Sequence, residues 1–208
     1  MKILYGTGNP AKLQGMRRRL AGLDLEIWGL WDVQGEVPEV EEQGATPLEN
    51  ARQKAHAYYE ALGVPVFSCD SGLYLEGVPD ELQPGVHVRT VGGKYLTDDE
   101  MRAYYGGLAK RYGNLKARYQ HAICLVLDGN HTYESMDESL SGSPFLITSV
   151  PFSGIRQKGF PLDSLSVDIK TGKYFYELGE GAIDKVDGED GFLKFFRQLP
   201  FWAGDYRV

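Results

Sequence analysis

Residues 6–12 have a composition suited to binding an anion: they read Gly-Thr-Gly-Asn-Pro-Ala-Lys. They follow a short strand-like run and open a helical stretch at Pro10, and small residues there let the backbone approach a charged group. The N–H groups of a helix N-terminus favour negative charge, and Lys12 follows within the first helical turn. The segment is neither a Walker A loop nor a dinucleotide fingerprint. Because strand-to-helix turns need glycine in any case, the segment alone supports a phosphate site and a plain turn equally.

An acidic loop, residues 32–45, lies further along the chain. Its last acidic residues, Glu41 and Glu42, come directly before a helix start, where their carboxylates would present hard oxygen ligands to Mg²⁺. The alternative interpretation is a solvated loop with no ligand, which is the usual reading of an isolated run of acidic residues.

The helix start after this loop is strongly marked. Residues 46–49 (Thr-Pro-Leu-Glu) supply a cap hydroxyl, a proline at the first helical position and a glutamate at the third. Asn50 and Lys54 are four residues apart, so they share one face of the predicted helix and point the same way. The alternative for Lys54 is an ordinary surface lysine.

Asp70 follows a compact apolar run, residues 64–69, that predicts a buried strand. A carboxylate at the end of such a strand is well placed to hold a metal or activate a water, because ligands bind at strand ends in α/β sheets. The alternative is an Asx-turn in which Asp70 and Ser71 bond their own backbone. That alternative does not explain why two phosphate-compatible segments precede it.

The composition of the whole chain limits the classes of function. Of the 208 residues, 42% are hydrophobic and 25% charged, as in globular proteins, and the formal net charge is −7. This charge argues against nonspecific binding of nucleic acid or of anionic membranes. Neither a leader peptide nor a membrane span is predicted, which favours a cytoplasmic protein.

The order of predicted elements indicates a mixed α/β chain with a central sheet. A second capped helix is predicted from Thr97, a hairpin around residues 128–130, strands around 164–169 and 174–178, and a terminal helix at 191–199. Cys69 and Cys124 lie in apolar runs, which predicts two buried free thiols. The histidines show no metal-ligand spacing, and each is expected to be a surface or partly buried residue; they are His56, His87, His121 and His131.

Four ordered stretches together resemble the inosine/xanthosine triphosphate pyrophosphatase family, whose members hydrolyse non-standard purine nucleoside triphosphates. The first is Thr-Gly-Asn-x-x-Lys at 7–12, and the second is Glu-Glu-x-Gly-x-Thr-x-x-Glu-Asn-Ala-x-x-Lys-Ala at 41–55. The others are Asp-Ser-Gly-Leu at 70–73 and Pro-Gly-Val at 84–86. Their order and spacing fit across roughly the first ninety residues.

The resemblance implies one pyrophosphatase domain over residues 1–208, with a long curved mixed sheet, flanking helices, two lobes around a nucleotide cleft, and a homodimer. It implies that Glu41 is a metal ligand, with Glu42 as the neighbouring alternative. It implies that Asp70 is a metal ligand and general base. The residues it assigns to the triphosphate are Thr7, Asn9, Lys12 and Lys54. It also implies that Gly8 binds the substrate and that Ser71 is a substrate contact beside Asp70.

The C-terminal half diverges from the family. Family members carry a Phe-Gly-Tyr-Asp-Pro stretch that cradles the base, and here the corresponding stretch keeps only Phe160 and Asp163, which the resemblance assigns to the substrate. The family's later Ser-His-Arg stretch, which reads the base, does not occur downstream. Lys185 is a loose match to a phosphate-contacting lysine.

The resemblance therefore implies hydrolysis of ITP, dITP or XTP to the monophosphate and pyrophosphate, with Mg²⁺, or alternatively Mn²⁺, and a water activated by Asp70. The diverged base-recognition stretches leave two alternatives open. One is the same chemistry on a different or modified nucleotide. The other is a regulator that binds nucleotide without turnover.

Overall fold

The structure is a computed structural model that describes residues 1–154, 160–178 and 190–200. Its α-helices are α1 (Pro10–Arg19), α2 (Pro47–Leu62), α3 (Asp98–Tyr112) and α4 (Gly191–Arg197). Its strands are β1 (Lys2–Tyr5), β2 (Glu26–Gly29), β3 (Val66–Leu75), β4 (Thr90–Val91), β5 (Lys94–Tyr95), β6 (Leu115–Asp128), β7 (His131–Ser135), β8 (Phe145–Ile147) and β9 (Ser166–Asp168). Short 3₁₀ turns lie at Asp80–Leu82, Glu138–Leu140, Pro161–Ser164 and Phe175–Glu177.

In the described residues, seven strands form one mixed sheet in the order β2-β1-β3-β6-β8-β9, with β7 paired to β6. Strand β1 is parallel to both β2 and β3, whereas β7 and β8 are antiparallel to β6, and β9 to β8. The α/β class with a mixed sheet and flanking helices is therefore confirmed. The strands β4 and β5 form a separate antiparallel pair.

The described chain divides into two compact units. The first contains Met1–Ser71, His121–Ser141 and residues 190–200, and the second contains Gly72–Gln120, 142–154 and 160–178. Strands β3 and β6 each contribute residues to both units. The prediction of one domain with two lobes stays a prediction.

The first unit has an apolar core on each face of its sheet, because side chains alternate along a strand. One face packs against α1 and α4: Tyr5 stacks on Phe67 with ring centroids 4.6 Å apart, and Phe196 meets Phe67 edge-on. The other face packs against α2, with Ala51 and Ala55 fully buried. Polar side chains along β3 therefore alternate between the face that packs against α2 and the face that packs against α1 and α4.

The prediction that β3 ends before Asp70 is wrong, since the strand continues from Val66 to Leu75. Leu73 exchanges two backbone hydrogen bonds with Gly85, and this pairing keeps the chain extended past Asp70. Strand β1 ends at Tyr5, opposite Phe67. Asp70 therefore lies in mid-strand but beyond the end of β1, and it does not form an Asx-turn.

The predicted strand at 174–178 is also wrong. Phe175–Glu177 form a 3₁₀ turn, in which the Glu177 carboxylate accepts a hydrogen bond from the Tyr174 N–H at 2.8 Å. Only an isolated bridge joins Tyr174 to Val167. The alternating aromatic residues indicated a strand, but the side-chain bond of Glu177 stabilises a turn instead.

The prediction of two buried free thiols holds for Cys124, whereas Cys69 is only partly buried. Both cysteines are free, and burial raises the pKa of each thiol to about 12. Thr97 caps α3 through a capping box with Glu100. Among the described residues, no helix is both long and apolar enough to cross a membrane.

Candidate active site

Asp70 is the centre of a buried polar cluster in the first unit. Its side chain is only 11% exposed. One carboxylate oxygen accepts a hydrogen bond from Asn50 Nδ2 at 3.1 Å, and the other accepts from Lys54 Nζ at 3.0 Å. A carboxylate has about four acceptor positions, so these two bonds leave Asp70 able to accept a proton or to bind a cation.

Lys54 connects two carboxylates. Its ammonium group lies 3.0 Å from Asp70 and 3.1 Å from Glu42. Burial lowers the pKa of Lys54, but the two neighbouring carboxylates more than offset this, and the net pKa is raised. Lys54 is therefore a fixed cation at neutral pH rather than a surface lysine, and its predicted contact with the triphosphate stays a prediction.

The pKa of Glu42 is also raised, which for a carboxylate disfavours the charged form. Burial raises the pKa of Glu42, and the charge of Asp70 raises it further, while Lys54 partly offsets both. Its side chain is 42% exposed, so the carboxylate faces both solvent and the cluster. Two carboxylates that share one lysine form an electronegative site whose charge Lys54 only partly neutralises.

Helix α2 positions the cluster because its start is held at several points. Thr46 accepts a hydrogen bond from the Glu49 N–H and Glu49 bonds back, which confirms the predicted capping box. Asn50 Oδ1 also accepts from the Gly44 N–H at 2.7 Å, so one amide ties the acidic loop to Asp70. A Cβ on Gly44 would lie 2.6 Å from that oxygen, which explains why glycine stands there.

The structure separates the two glutamates of the acidic loop. Glu41 is exposed and accepts a hydrogen bond from Gln43 Nε2 at 2.9 Å, whereas Glu42 reaches Lys54 beside Asp70. The loop has no regular periodicity, so the sequence could not distinguish these neighbours. The metal-binding role predicted for Glu41 stays a prediction, and Glu42 has the position closer to Asp70.

The donor set fits Mg²⁺ bound together with a phosphate ligand. In residues 1–154, 160–178 and 190–200, no group of three or more histidine, cysteine or acidic side chains is arranged to hold a metal alone. Mg²⁺ is commonly held by one or two carboxylates and completes its octahedral shell with waters and substrate phosphates. Asp70 and Glu42 supply two such carboxylates and already share a cation, Lys54.

The turn at residues 6–12 lies beside residues 67 and 68 of β3, which precede Asp70 on that strand. Gly6 donates its N–H to the Phe67 carbonyl at 2.8 Å, and a Cβ on Gly6 would lie 2.3 Å from Ser68 Oγ. Asn9 caps α1, because its Oδ1 accepts from the N–H groups of Ala11 and Lys12. The cap gives Asn9 a structural role in addition to the substrate contact predicted for it.

The other predicted residues of this turn are open to a ligand. Thr7 is partly exposed, and Gly8 and Lys12 are exposed. Thr7 Oγ1 accepts a hydrogen bond from the Asn9 N–H at 3.2 Å, which keeps the turn compact. The helix N-terminus and a lysine therefore lie next to the part of β3 that carries Asp70, as a phosphate site requires.

Ser71 has a partner that the sequence did not reveal. Its Oγ lies 2.7 Å from Nδ1 of His121, which is a partly buried residue of β6. His121 is partly buried, which agrees with the expectation of a surface or partly buried residue, but no motif marked its contact with Ser71. The two residues lie on neighbouring strands and are 50 positions apart in the chain, so the spacing of nearby residues cannot predict their contact.

Phe160 and Asp163 lie in the second unit. The Phe160 carbonyl accepts hydrogen bonds from the Asp163 N–H at 3.3 Å and from Tyr176 Oη at 3.1 Å, and the residue is 36% exposed. Burial raises the pKa of Asp163 to about 6. The loose match at Lys185 lies outside the described residues.

The raised pKa of Asp163 predicts a pH-dependent stabilisation by Asp163→Asn. Asp163 resists ionisation in the folded chain, so its burial costs nothing below the ordinary pKa of 3.8 and destabilises the fold fully above about pH 6. We expect the variant to gain about 1 to 3 kcal/mol of unfolding free energy at pH 8 and little at pH 4. Urea unfolding at both pH values measures the gain.

Asp80→Asn is the matched control, because Asp80 is exposed in the same unit. It should change the unfolding free energy little at either pH. An equal gain for Asp163→Asn at pH 4 and pH 8 would show that ionisation of the buried carboxyl is not the cause.

Comparison with known proteins places these features in a family. The Ham1 family model matches residues 3–160. A dITP/XTP pyrophosphatase of Thermus thermophilus is 34% identical over 184 residues, which cover 86% of this chain and 82% of that protein. The dITP/XTP pyrophosphatase of Porphyromonas gingivalis is 32% identical over 144 residues, covering 68% of this chain and 72% of the relative.

Solved structures show the same fold. A HAM1 protein from Coxiella burnetii superposes with a TM-score of 0.72 at 23% identity, over 99% of this chain and all of that one. The Ham1 protein of Staphylococcus aureus gives a TM-score of 0.68 at 20% identity with the same coverage. The resemblance inferred from the four ordered stretches is thus confirmed by sequence and by fold, and the chain belongs to the Ham1 family.

Proposed function

We propose that this chain hydrolyses nucleoside triphosphates such as dITP and XTP between the α and β phosphates, releasing the monophosphate and pyrophosphate. The observation that carries the proposal is the Asp70–Lys54–Glu42 cluster beside an anion-binding turn. The names of the relatives, dITP/XTP pyrophosphatases, support the same substrate class. Mg²⁺ and a homodimer, which the resemblance implies, and the cytoplasmic location expected from the sequence complete the proposal.

In the proposed reaction, Asp70 accepts the proton of the attacking water. Asn50 and Lys54 each donate one hydrogen bond to the carboxylate and Glu42 contacts it as well, so of about four acceptor positions at least one is left for this proton. The same two donors hold the carboxylate in one orientation, so the base is aligned before substrate arrives. A fixed base avoids the reorganisation that a mobile side chain would need.

Cationic groups stabilise the negative charge that develops on the leaving pyrophosphate. Lys12 and the N-terminus of α1 provide this charge on one side, and Lys54 provides it beside Asp70. Asp70 would hold Mg²⁺ together with Glu42, which lies beside it, or with Glu41, the ligand that the resemblance implies first. When bound, Mg²⁺ neutralises phosphate charge and lowers the pKa of a coordinated water.

The remaining predicted contacts concern the phosphates and the base. We assign Thr7, Gly8, Asn9 and Ser71 to the phosphates. Phe160 and Asp163 are assigned to the base. Because the pKa of Asp163 is raised to about 6, its carboxylate would accept hydrogen bonds from a base above that pH.

The test is product analysis with a panel of nucleotides: dITP, XTP and the standard dNTPs, each with Mg²⁺ at pH 8. We expect equal amounts of monophosphate and pyrophosphate, with dITP and XTP hydrolysed fastest. Release of orthophosphate and a diphosphate would instead mean cleavage at the β–γ bond and would overturn the proposal. Binding without any product would favour the nucleotide-binding regulator.

A further inference from the structure

Ser71 and His121 form a side-chain pair directly next to Asp70, and the proposed reaction leaves His121 without a role. Ser71 Oγ and His121 Nδ1 are 2.7 Å apart. Ser71 follows Asp70 on β3, so the two side chains point to opposite faces of the sheet. Asp70 faces α2, where Lys54 and Asn50 bond it. Ser71 therefore faces the side that packs against α1 and α4.

The α1 side is also the side of the proposed phosphate contacts. Cys69 precedes Ser71 by two positions, so both side chains share this face. Cys69 packs against the apolar core that Leu13 of α1 helps to form, and Lys12 lies on the same helix. Strand β1 ends opposite Phe67, so nothing from β1 is paired alongside Ser71. The serine hydroxyl thus lies beyond the end of β1, on the face that carries Lys12.

His121 is held in place from a second direction. Its ring lies 6.1 Å from the ring of Phe192 in α4, and the Arg19 guanidinium lies over the same phenyl ring at 5.2 Å. Arg19 also pairs with Asp190 at 3.5 Å. The imidazole therefore lies between Ser71 on the neighbouring strand β3 and Phe192 on α4. This packing limits rotation of the ring and fixes the orientation of its hydrogen bond to Ser71.

A phosphate bound to Ser71 determines which atom donates the proton in the hydrogen bond between Ser71 and His121. Phosphate oxygens of a triphosphate only accept, so a serine that contacts them has to donate its single proton. Ser71 can then accept, but not donate, toward His121. Both the neutral Nδ1–H tautomer and the imidazolium can donate from Nδ1, and either one satisfies the serine oxygen.

We propose that His121 is a positioning residue: its Nδ1–H donates to Ser71 Oγ and so directs the Ser71 hydroxyl proton to a phosphate oxygen of the substrate. The inference rests on the proposed function, because it requires a triphosphate at this face. It goes beyond the family assignment by giving a role to a residue outside the four ordered stretches.

The experiment compares four variants: Ser71→Ala, His121→Leu, His121→Asn and the double variant Ser71→Ala/His121→Leu. Asn can donate from near the position of Nδ1, whereas Leu fills similar space without a donor. Calorimetric titration with inorganic tripolyphosphate in the presence of Mg²⁺ gives the dissociation constant, and steady-state rates with dITP give KM and kcat. Tripolyphosphate has no base, so it reports on the phosphate contacts alone.

We expect Ser71→Ala and His121→Leu each to weaken tripolyphosphate binding by about tenfold, the loss of one hydrogen bond to a charged group. The double variant should bind no more weakly than either single variant, because both remove the same contact. His121→Asn should bind within about twofold of the wild type. KM for dITP should rise in parallel while kcat changes less.

Several outcomes would overturn the inference. These are additive losses in the double variant, equal losses for His121→Asn and His121→Leu, or unchanged binding in all variants. A Ser71→Ala variant that loses turnover as completely as Asp70→Asn would make Ser71 a nucleophile with His121 as its base, which is a different mechanism. Should His121→Leu fail to fold, His121→Ala, which also lacks the donor, replaces it in the single and the double variant.

His131→Leu is the matched control, since His131 also bonds through Nδ1, to Asp128 at 2.8 Å, but on the exposed hairpin turn. It should leave tripolyphosphate binding unchanged.

The binding measurement separates the two proposals. A wild-type chain that binds tripolyphosphate but releases no pyrophosphate from any nucleotide contradicts the proposed function, and the variants then still test His121. A wild-type chain that does not bind tripolyphosphate overturns the inference.

Discussion

Asp70→Asn should reduce pyrophosphate release from saturating dITP and Mg²⁺ by at least about a thousandfold, within the range typical for loss of a general base. The amide cannot accept the proton of the attacking water. Its Nδ2 group would also meet the donors of Asn50 or Lys54, which now approach both carboxylate oxygens at 3.0 to 3.1 Å. Initial rates of pyrophosphate release measure the effect.

The fold should survive this substitution, because Asn is nearly isosteric with Asp and Lys54 keeps its ion pair with Glu42 at 3.1 Å. Circular dichroism and a thermal melt check this. Asp24→Asn is the matched control: Asp24 is exposed in the same unit, and its backbone carbonyl accepts a hydrogen bond from the N-terminal amine. Turnover of Asp70→Asn within tenfold of the wild type would remove Asp70 from the chemistry.

The part of this site that lies on α2 was predicted well from the sequence. The capping box at Thr46 and Glu49 and the four-residue spacing of Asn50 and Lys54 are local signals, and the structure confirms the helix that they indicate. Each depends on residues within one turn of each other. Such features are decided by neighbouring residues, so a single sequence contains them.

The part of the site that lies on β3 was predicted less well, because the extent of β3 depends on pairing with segments that are distant in the sequence. Asp70 was expected at the end of a strand, but Leu73 pairs with Gly85 and extends β3 to Leu75. What opens the space beside Asp70 is the early end of β1 at Tyr5. The position of one strand's end relative to another is a property of register, which local composition does not encode.

Two further residues show the same limit. Glu41 and Glu42 are chemically identical neighbours in an irregular loop, and only the fold shows that Glu42 reaches Lys54. His121 had no sequence signal at all, because its partner Ser71 lies on another strand. Long-range side-chain contacts of this kind follow from the assembled sheet rather than from spacing along the chain.

Lys54→Met should destabilise the chain and make its stability depend on Mg²⁺. Without the ammonium, the carboxylates of Asp70 and Glu42 lose the cation that both now contact at 3.0 to 3.1 Å. Leaving a buried charge without its partner costs about 3 to 5 kcal/mol, and the 42% exposure of Glu42 reduces this, so we expect about 2 to 3 kcal/mol. For a chain of this size that corresponds to a Tm lower by roughly 5 to 10 °C in EDTA.

The dependence on Mg²⁺ and on pH distinguishes this electrostatic cause from lost packing. If Asp70 and Glu42 hold the metal, Mg²⁺ supplies the missing charge and should raise the Tm of Lys54→Met more than that of the wild type. The pKa of Glu42 is already raised by burial, and the loss of Lys54 raises it further, so protonation at lower pH should shrink the deficit. Lys2→Met is the matched control, because its pair with Glu26 is exposed and 3.9 Å long. A Tm deficit that is the same in Mg²⁺ and EDTA and at every pH would mean that Lys54 acts by packing, and that the two carboxylates do not form a cation site.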